Sequence, residues 1–128
     1  MKRDMELCRK ILLEIEEKYE GEALFGLPLD GYELVQVGEH CKMMYEYGLI
    51  SEFKPINADG APMLGFFVGS LTWEGHDFLD SIREDTVWSK TKDVIKDEGL
   101  PMILSVIRDV ATAIITSMTE GAIRGLKG

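Results

Sequence analysis

Basic residues are in short supply in this chain: 14 Lys and Arg stand against 23 Asp and Glu, a formal net charge of −9. That deficit opposes non-specific attraction to DNA or to an anionic membrane, because neutralising phosphates takes clustered Lys and Arg. Cysteine is scarcer still, with only Cys8 and Cys41, both in predicted helices and without CxxC spacing. Buried free thiols in a reducing cytoplasm are the expected reading. A long apolar run is missing too. The most apolar stretch, Met102 to Met118, is interrupted by Arg108 and Asp109 and is too short to span a bilayer cleanly. The N-terminal MKRDMELCRK is charged and leads straight into an amphipathic segment, so neither a signal peptide nor membrane insertion is expected.

The patterns that carry chemistry are equally thin. His40 and His76 lie 36 residues apart, and neither has a convincing second ligand at i+3 or i+4. Asp80 stands four residues after His76, which reads as a His–Asp pair on a helix surface, while His40 beside Cys41 reads as a satisfied, half-buried histidine. No nucleophile elbow occurs, and Gly21, Gly26 and Gly31 lack the Lys-Ser/Thr that would make a phosphate loop. Glu84 and Asp85 are adjacent and point apart on a helix. These patterns predict no catalytic residue, no metal, no cofactor and no enzyme.

What is present is a clear set of structural signals. Cys8, Ile11, Leu12, Ile15 and Tyr19 form one stripe at helical period, which predicts a helix over 4–19 with Asp4 as N-cap and Gly21 as its stop. Arg9, Lys10, Glu14, Glu17 and Lys18 make up its solvated side. The glycine-rich GEALFGLPLDGY (21–32) admits a loop and a short extended piece around Leu27 to Leu29. Leu34, Val37, Cys41, Met44 and Tyr45 predict a second helix, about 33–47, closed by Gly48, with Leu49 and Ile50 opening a strand.

Residues 51–70 read as strand, turn and strand, with Asn57 to Gly60 as the turn. In LTWEGHDFLDSI (71–82), Thr72 caps a helix, and Gly75 shares one face with Leu79 and Ile82. Glycine costs about 1 kcal/mol against alanine in a helix, so close approach to a neighbouring backbone is its expected purpose. The helix runs to about Arg83 and onward, bent or straight, to Asp97. A last helix, about 101–119, is apolar nearly all round, and the tail from Gly121 is expected to fray.

Helix, short strand, helix, hairpin, helix is the order of a winged-helix domain. The expected fold class is therefore α+β: a winged-helix-like domain with a small antiparallel hairpin or wing over 1–97, and a C-terminal helical extension over 98–128 that packs on the domain, on a second subunit, or on both. Three blocks, MKRDMELCRKILLEIE (1–16), DGY…HCKMMYEYGLI (30–50) and LTWEGHDFLDSIREDTVWSK (71–90), resemble a family of short bacterial and prophage-borne proteins catalogued as a domain of unknown function. The resemblance implies a winged-helix-like fold and a frequent phage context. It implies no activity and brings no catalytic residues.

Two function classes compete. A winged helix reads DNA through one helix, and Lys2, Arg3, Lys42 and Lys54 are the residues that would touch nucleic acid. Yet residues 21–32 leave no room for the helix that should precede the reader. Over 33–62 the reader and wing carry Glu33, Glu39, Glu46, Glu52 and Asp59 against Lys42 and Lys54. Protein–protein interaction is the favoured class, through a homo-oligomer or with a host or phage protein. Trp73, Trp88, Ile103, Ile107 and Ile114 are the expected interface residues.

Overall fold

Asp4 starts the first helix, α1 (Met5–Lys18): its carboxylate accepts the backbone N–H groups of Glu6 and Leu7 at 2.9 and 3.2 Å. The computed structural model describes residues 1–57, 59–60 and 62–127. Along these the order continues with β1 (Leu24–Phe25), α2 (Leu34–Tyr47), β2 (Phe53–Asn57), β3 (Met63–Val68), α3 (Trp73–Ile82), α4 (Asp85–Asp97) and α5 (Leu104–Lys127). The fold class is mixed α+β, with a long C-terminal helix and a three-stranded antiparallel sheet in the order β1-β3-β2. The chain divides within α3 into two compact units, Met1–Leu79 and Asp80–Gly128, so α4 and α5 share a unit.

In the first unit, α1 buries Met5, Leu7, Cys8, Ile11, Leu12 and Ile15, a broader stripe than its periodicity predicts. Arg9 is buried as well, a departure from the solvated side on which the sequence places it, and Tyr19 is only half-buried. The first strand lies earlier than Leu27 to Leu29, at Leu24 and Phe25, because its position is set by pairing with Val68 and Phe67 of β3. Leu27 instead enters the core. Helix α2 packs on β2 and β3 and buries Val37, Cys41 and Met44, while Leu34 and Tyr45, expected on the same inner stripe, are exposed.

His40 joins α1 to α2. Its Nε2 accepts the backbone N–H of Asp4 at 2.8 Å, so Nδ1 carries the proton and donates to the Gln36 carbonyl at 2.8 Å. The side chain is fully buried, deeper than the half-burial its sequence context predicts.

The end of α2 and the start of α3 form a single joint. Gly48 takes φ +103°, which favours glycine, and closes α2 as expected, while the Leu49 N–H reaches back to the Met44 carbonyl at 2.9 Å. Thr72 then does three things. Its hydroxyl donates to the Gly48 carbonyl at 2.5 Å and accepts the Gly75 N–H at 3.0 Å, and its own N–H donates to the Leu49 carbonyl at 3.0 Å. Leu49 and Ile50 do not open β2, which begins at Phe53; Ile50 instead makes an isolated bridge to Leu71. The expected hairpin turn includes Ala58, which lies outside the described residues.

Helices α3 and α4 are separate, because Glu84 is extended (φ −69°, ψ 128°). Helix α4 buries Val87, Trp88, Thr91 and Ile95 and packs on α5, which buries Ile107 and Ala111. Helix α5 does not fray after Gly121 but continues to Lys127. Ala122, Ile123 and Leu126 are competent helix formers that offset the two glycines, and Arg124 and Lys127 sit in the last turn, where the helix dipole favours positive charge.

Candidate interaction surface

The outward side of α2 carries Leu34, Val35, Met43, Tyr45 and Tyr47, all exposed, alongside exposed Glu33 and Glu46, half-buried Glu39 and the single base Lys42. This surface is apolar and acidic. Across the sheet, Phe25 and Phe67 form a cross-strand pair with ring centroids 5.1 Å apart and planes tilted by 55°. Phe25 is 67% exposed, and its ring tip lies 3.5 Å from where a Cβ of Gly65 would be, so the ring covers backbone that a larger residue would otherwise shield. Periodicity did not single out Phe25 or Phe67 as surface residues, since strand propensity does not say which face meets solvent.

The expected interface residues divide. Trp73 is 81% exposed, Ile103 is exposed and Ile114 is half-buried. Trp88 is 3% exposed and Ile107 fully buried, so these two are core side chains. Further along α5, Met118 is exposed near the end of the expected helix, and Ile123 and Leu126 are exposed in the segment expected to fray.

Lys2, Arg3, Lys42 and Lys54 are exposed, but the other two bases of the first helix's start, Arg9 and Lys10, do not join Lys2 and Arg3 as free surface charge. Arg9 is buried, and the Lys10 ammonium sits 5.3 Å from the centroid of the Tyr32 ring. Lys54 lies on β2 opposite Phe67.

The chemically suggestive side chains have structural partners. His76 faces Glu16, with Nδ1 3.7 Å from a carboxylate oxygen, and not Asp80, which pairs with Arg83 at 2.7 Å. The i+3 arginine reaches Asp80 with two nitrogens, and this decides the pairing. Cys8 and Cys41 are buried free thiols. Burial pushes their pKa values up from 9.0, to about 11 for Cys8 and about 12 for Cys41. Both are poor nucleophiles. Among the described residues, no group of three or more His, Cys, Asp and Glu could hold a metal ion, and no helix is long and apolar enough to cross a membrane.

Residues 2–101 match a family described as "Hypothetical protein (DUF2513)". Over 119 residues the chain is 36% identical to an "Uncharacterized protein" of Haemophilus influenzae, covering 92% of this chain and 98% of that one. No solved structure matches.

Proposed function

We propose that this chain, which belongs to the DUF2513 family, is a non-catalytic, phage-associated cytoplasmic protein that acts by protein–protein interaction through a homo-oligomer. The observation that carries the reading is the outward side of α2. In a winged-helix arrangement this helix would face DNA, yet it presents Leu34, Val35, Met43 and Tyr47 with Glu33, Glu39 and Glu46 against one lysine. Phosphates repel such a surface, whereas apolar anchors ringed by charge suit a protein partner. Exposed Trp73 adds an aromatic anchor of the kind enriched at interfaces. The phage context comes from the resemblance of the three sequence blocks, and the two buried thiols fit a reducing compartment.

A DNA-binding winged-helix regulator is the second reading, favoured by the sheet order β1-β3-β2 behind α2 and by the exposure of Lys2, Arg3, Lys42 and Lys54. A gel shift with random duplex DNA at low salt separates the two. The proposal expects no shift at micromolar protein, and a salt-sensitive shift lost in a Lys42→Glu, Lys54→Glu variant overturns it. Sedimentation over a concentration series tests the homo-oligomer, and a pull-down from host cells identifies any other partner.

A further inference from the structure

We infer that the homo-oligomer forms where the packing seam of α5 runs past the end of α4, each protomer's overhanging helix end filling a notch beside the N-terminus of its partner's α4. The inference rests on the homo-oligomeric reading above and names its surface.

Positions 107, 111, 115, 118, 122 and 126 recur at steps of three and four, so Ile107, Ala111, Ile115, Met118, Ala122 and Leu126 lie on one stripe of α5. Burial falls steadily along that stripe. Ile107 and Ala111 have no exposed surface, Ile115 is half-buried, Met118 is 50% exposed and Leu126 is 88% exposed. Helix lengths give the cause. At about 1.5 Å per residue, the 13 residues of α4 extend roughly 20 Å and the 24 of α5 roughly 36 Å. Helix α4 therefore ends before α5 does. Where it ends there is a notch of about 390 Å³, floored by Val87, Ile115, Met118 and Ala122 and flanked by Asp80 and Glu84.

Charge selects the occupant. The notch rim is acidic, although Asp80 shares its charge with Arg83 at 2.7 Å, whereas the overhang ends in Arg124 and Lys127. A second copy running antiparallel brings its basic end to the acidic rim, and the two-fold operation returns the same contact on the other side. Small residues at Gly121 and Ala122 allow the two helices to cross closely there.

Sedimentation velocity on the full chain and three variants, with helix content followed by circular dichroism, provides the test. Wild type should dimerise. Met118→Glu and Glu84→Lys should each weaken the dimer at least tenfold at unchanged helix content, because both side chains are at the surface. The combination Glu84→Lys with Lys127→Glu should recover most of the loss of Glu84→Lys, and high salt should remove that difference. If wild type dimerises and Met118→Glu does so equally well, this seam is not the interface, although the homo-oligomer stands. A wild-type chain that stays monomeric overturns both and leaves the seam to a different protein. If Met118→Glu loses helix content, the Glu84→Lys pair decides.

Discussion

The backbone of Gly75 rests directly on Leu49: a Cβ at Gly75 would fall on the Leu49 carbonyl oxygen, the atom that accepts the Thr72 N–H. An alanine there has only backbone to displace. Alanine favours a helix by about 1 kcal/mol over glycine, but overpacking against a fixed backbone carbonyl falls at the upper end of its usual range, about 3 kcal/mol. Gly75→Ala should therefore destabilise the chain by about 2 kcal/mol in urea unfolding. A variant as stable as wild type would falsify the close-approach account.

His40 should matter for the helix it does not belong to. In His40→Leu the half-buried Asp4 N–H loses its acceptor, and the partial solvent access of that donor holds the cost near the lower end of the usual range for an unsatisfied group, about 1 kcal/mol. Hydrogen exchange resolves the site: the Asp4 amide should lose protection while the middle of α2 keeps its own. Unchanged Asp4 protection would show that His40 fills space only.

The thiols make a pH-dependent contribution. Both folded pKa values, about 11 for Cys8 and about 12 for Cys41, lie above the ordinary 9.0, so the unfolded chain ionises first. The stability held below pH 9 is then lost as pH rises through 11 and 12. Between about pH 8 and pH 10, wild type should lose about 1 kcal/mol per thiol more than a Cys8→Ala, Cys41→Ala variant. Equal losses in the two proteins count against buried neutral thiols. Alkylation at neutral pH should likewise be slow until urea unfolds the chain.

The two tryptophans can be read separately by fluorescence. With Trp73 81% exposed and Trp88 3% exposed, Trp73→Phe should leave blue-shifted emission that acrylamide barely quenches, and Trp88→Phe should leave red-shifted, readily quenched emission. If Trp73 anchors an interface, its quenching falls as protein concentration rises. Concentration-independent quenching removes Trp73 from the interface.

Some of this was legible in sequence because the signals are local. Asp4, Gly48 and Thr72 are caps, and a cap is recognised from its own residue type and the few residues beside it. Gly75 could be read because a helix tolerates its cost only for a nearby reason. The position of β1 was not legible, since a two-residue strand takes its place from β3, more than forty residues away. Nor was the fate of the apolar side chains on α5 and α4. Ile107 and Met118 share one stripe, and what separates them is where α4 ends, a length relationship between two helices. The tail from Gly121 was expected to fray, because two glycines weigh more in a local reading than the helix formers Ala122, Ile123 and Leu126 do in the finished helix. Asp80 was expected to meet His76, but an arginine one turn away binds a carboxylate with two nitrogens and wins.

The three hydrogen bonds of Thr72 also clasp residues 50–71 at their base, where Ile50, Phe66, Val68 and Leu71 are buried in the core, and leave Asn57 and Met63 at the far end of the hairpin. They fasten Gly48 and Leu49 to Thr72 and Gly75, so the chain leaves and re-enters the helical body at a single fixed point. Doubling the length of a flexible loop adds only about 0.6 kcal/mol of closure entropy. New residues placed between Asn57 and Pro62 would lengthen the hairpin and leave both helices where they are. An epitope or fluorophore grafted there would travel with the protein while its candidate binding surfaces on α2 and α5 stay intact.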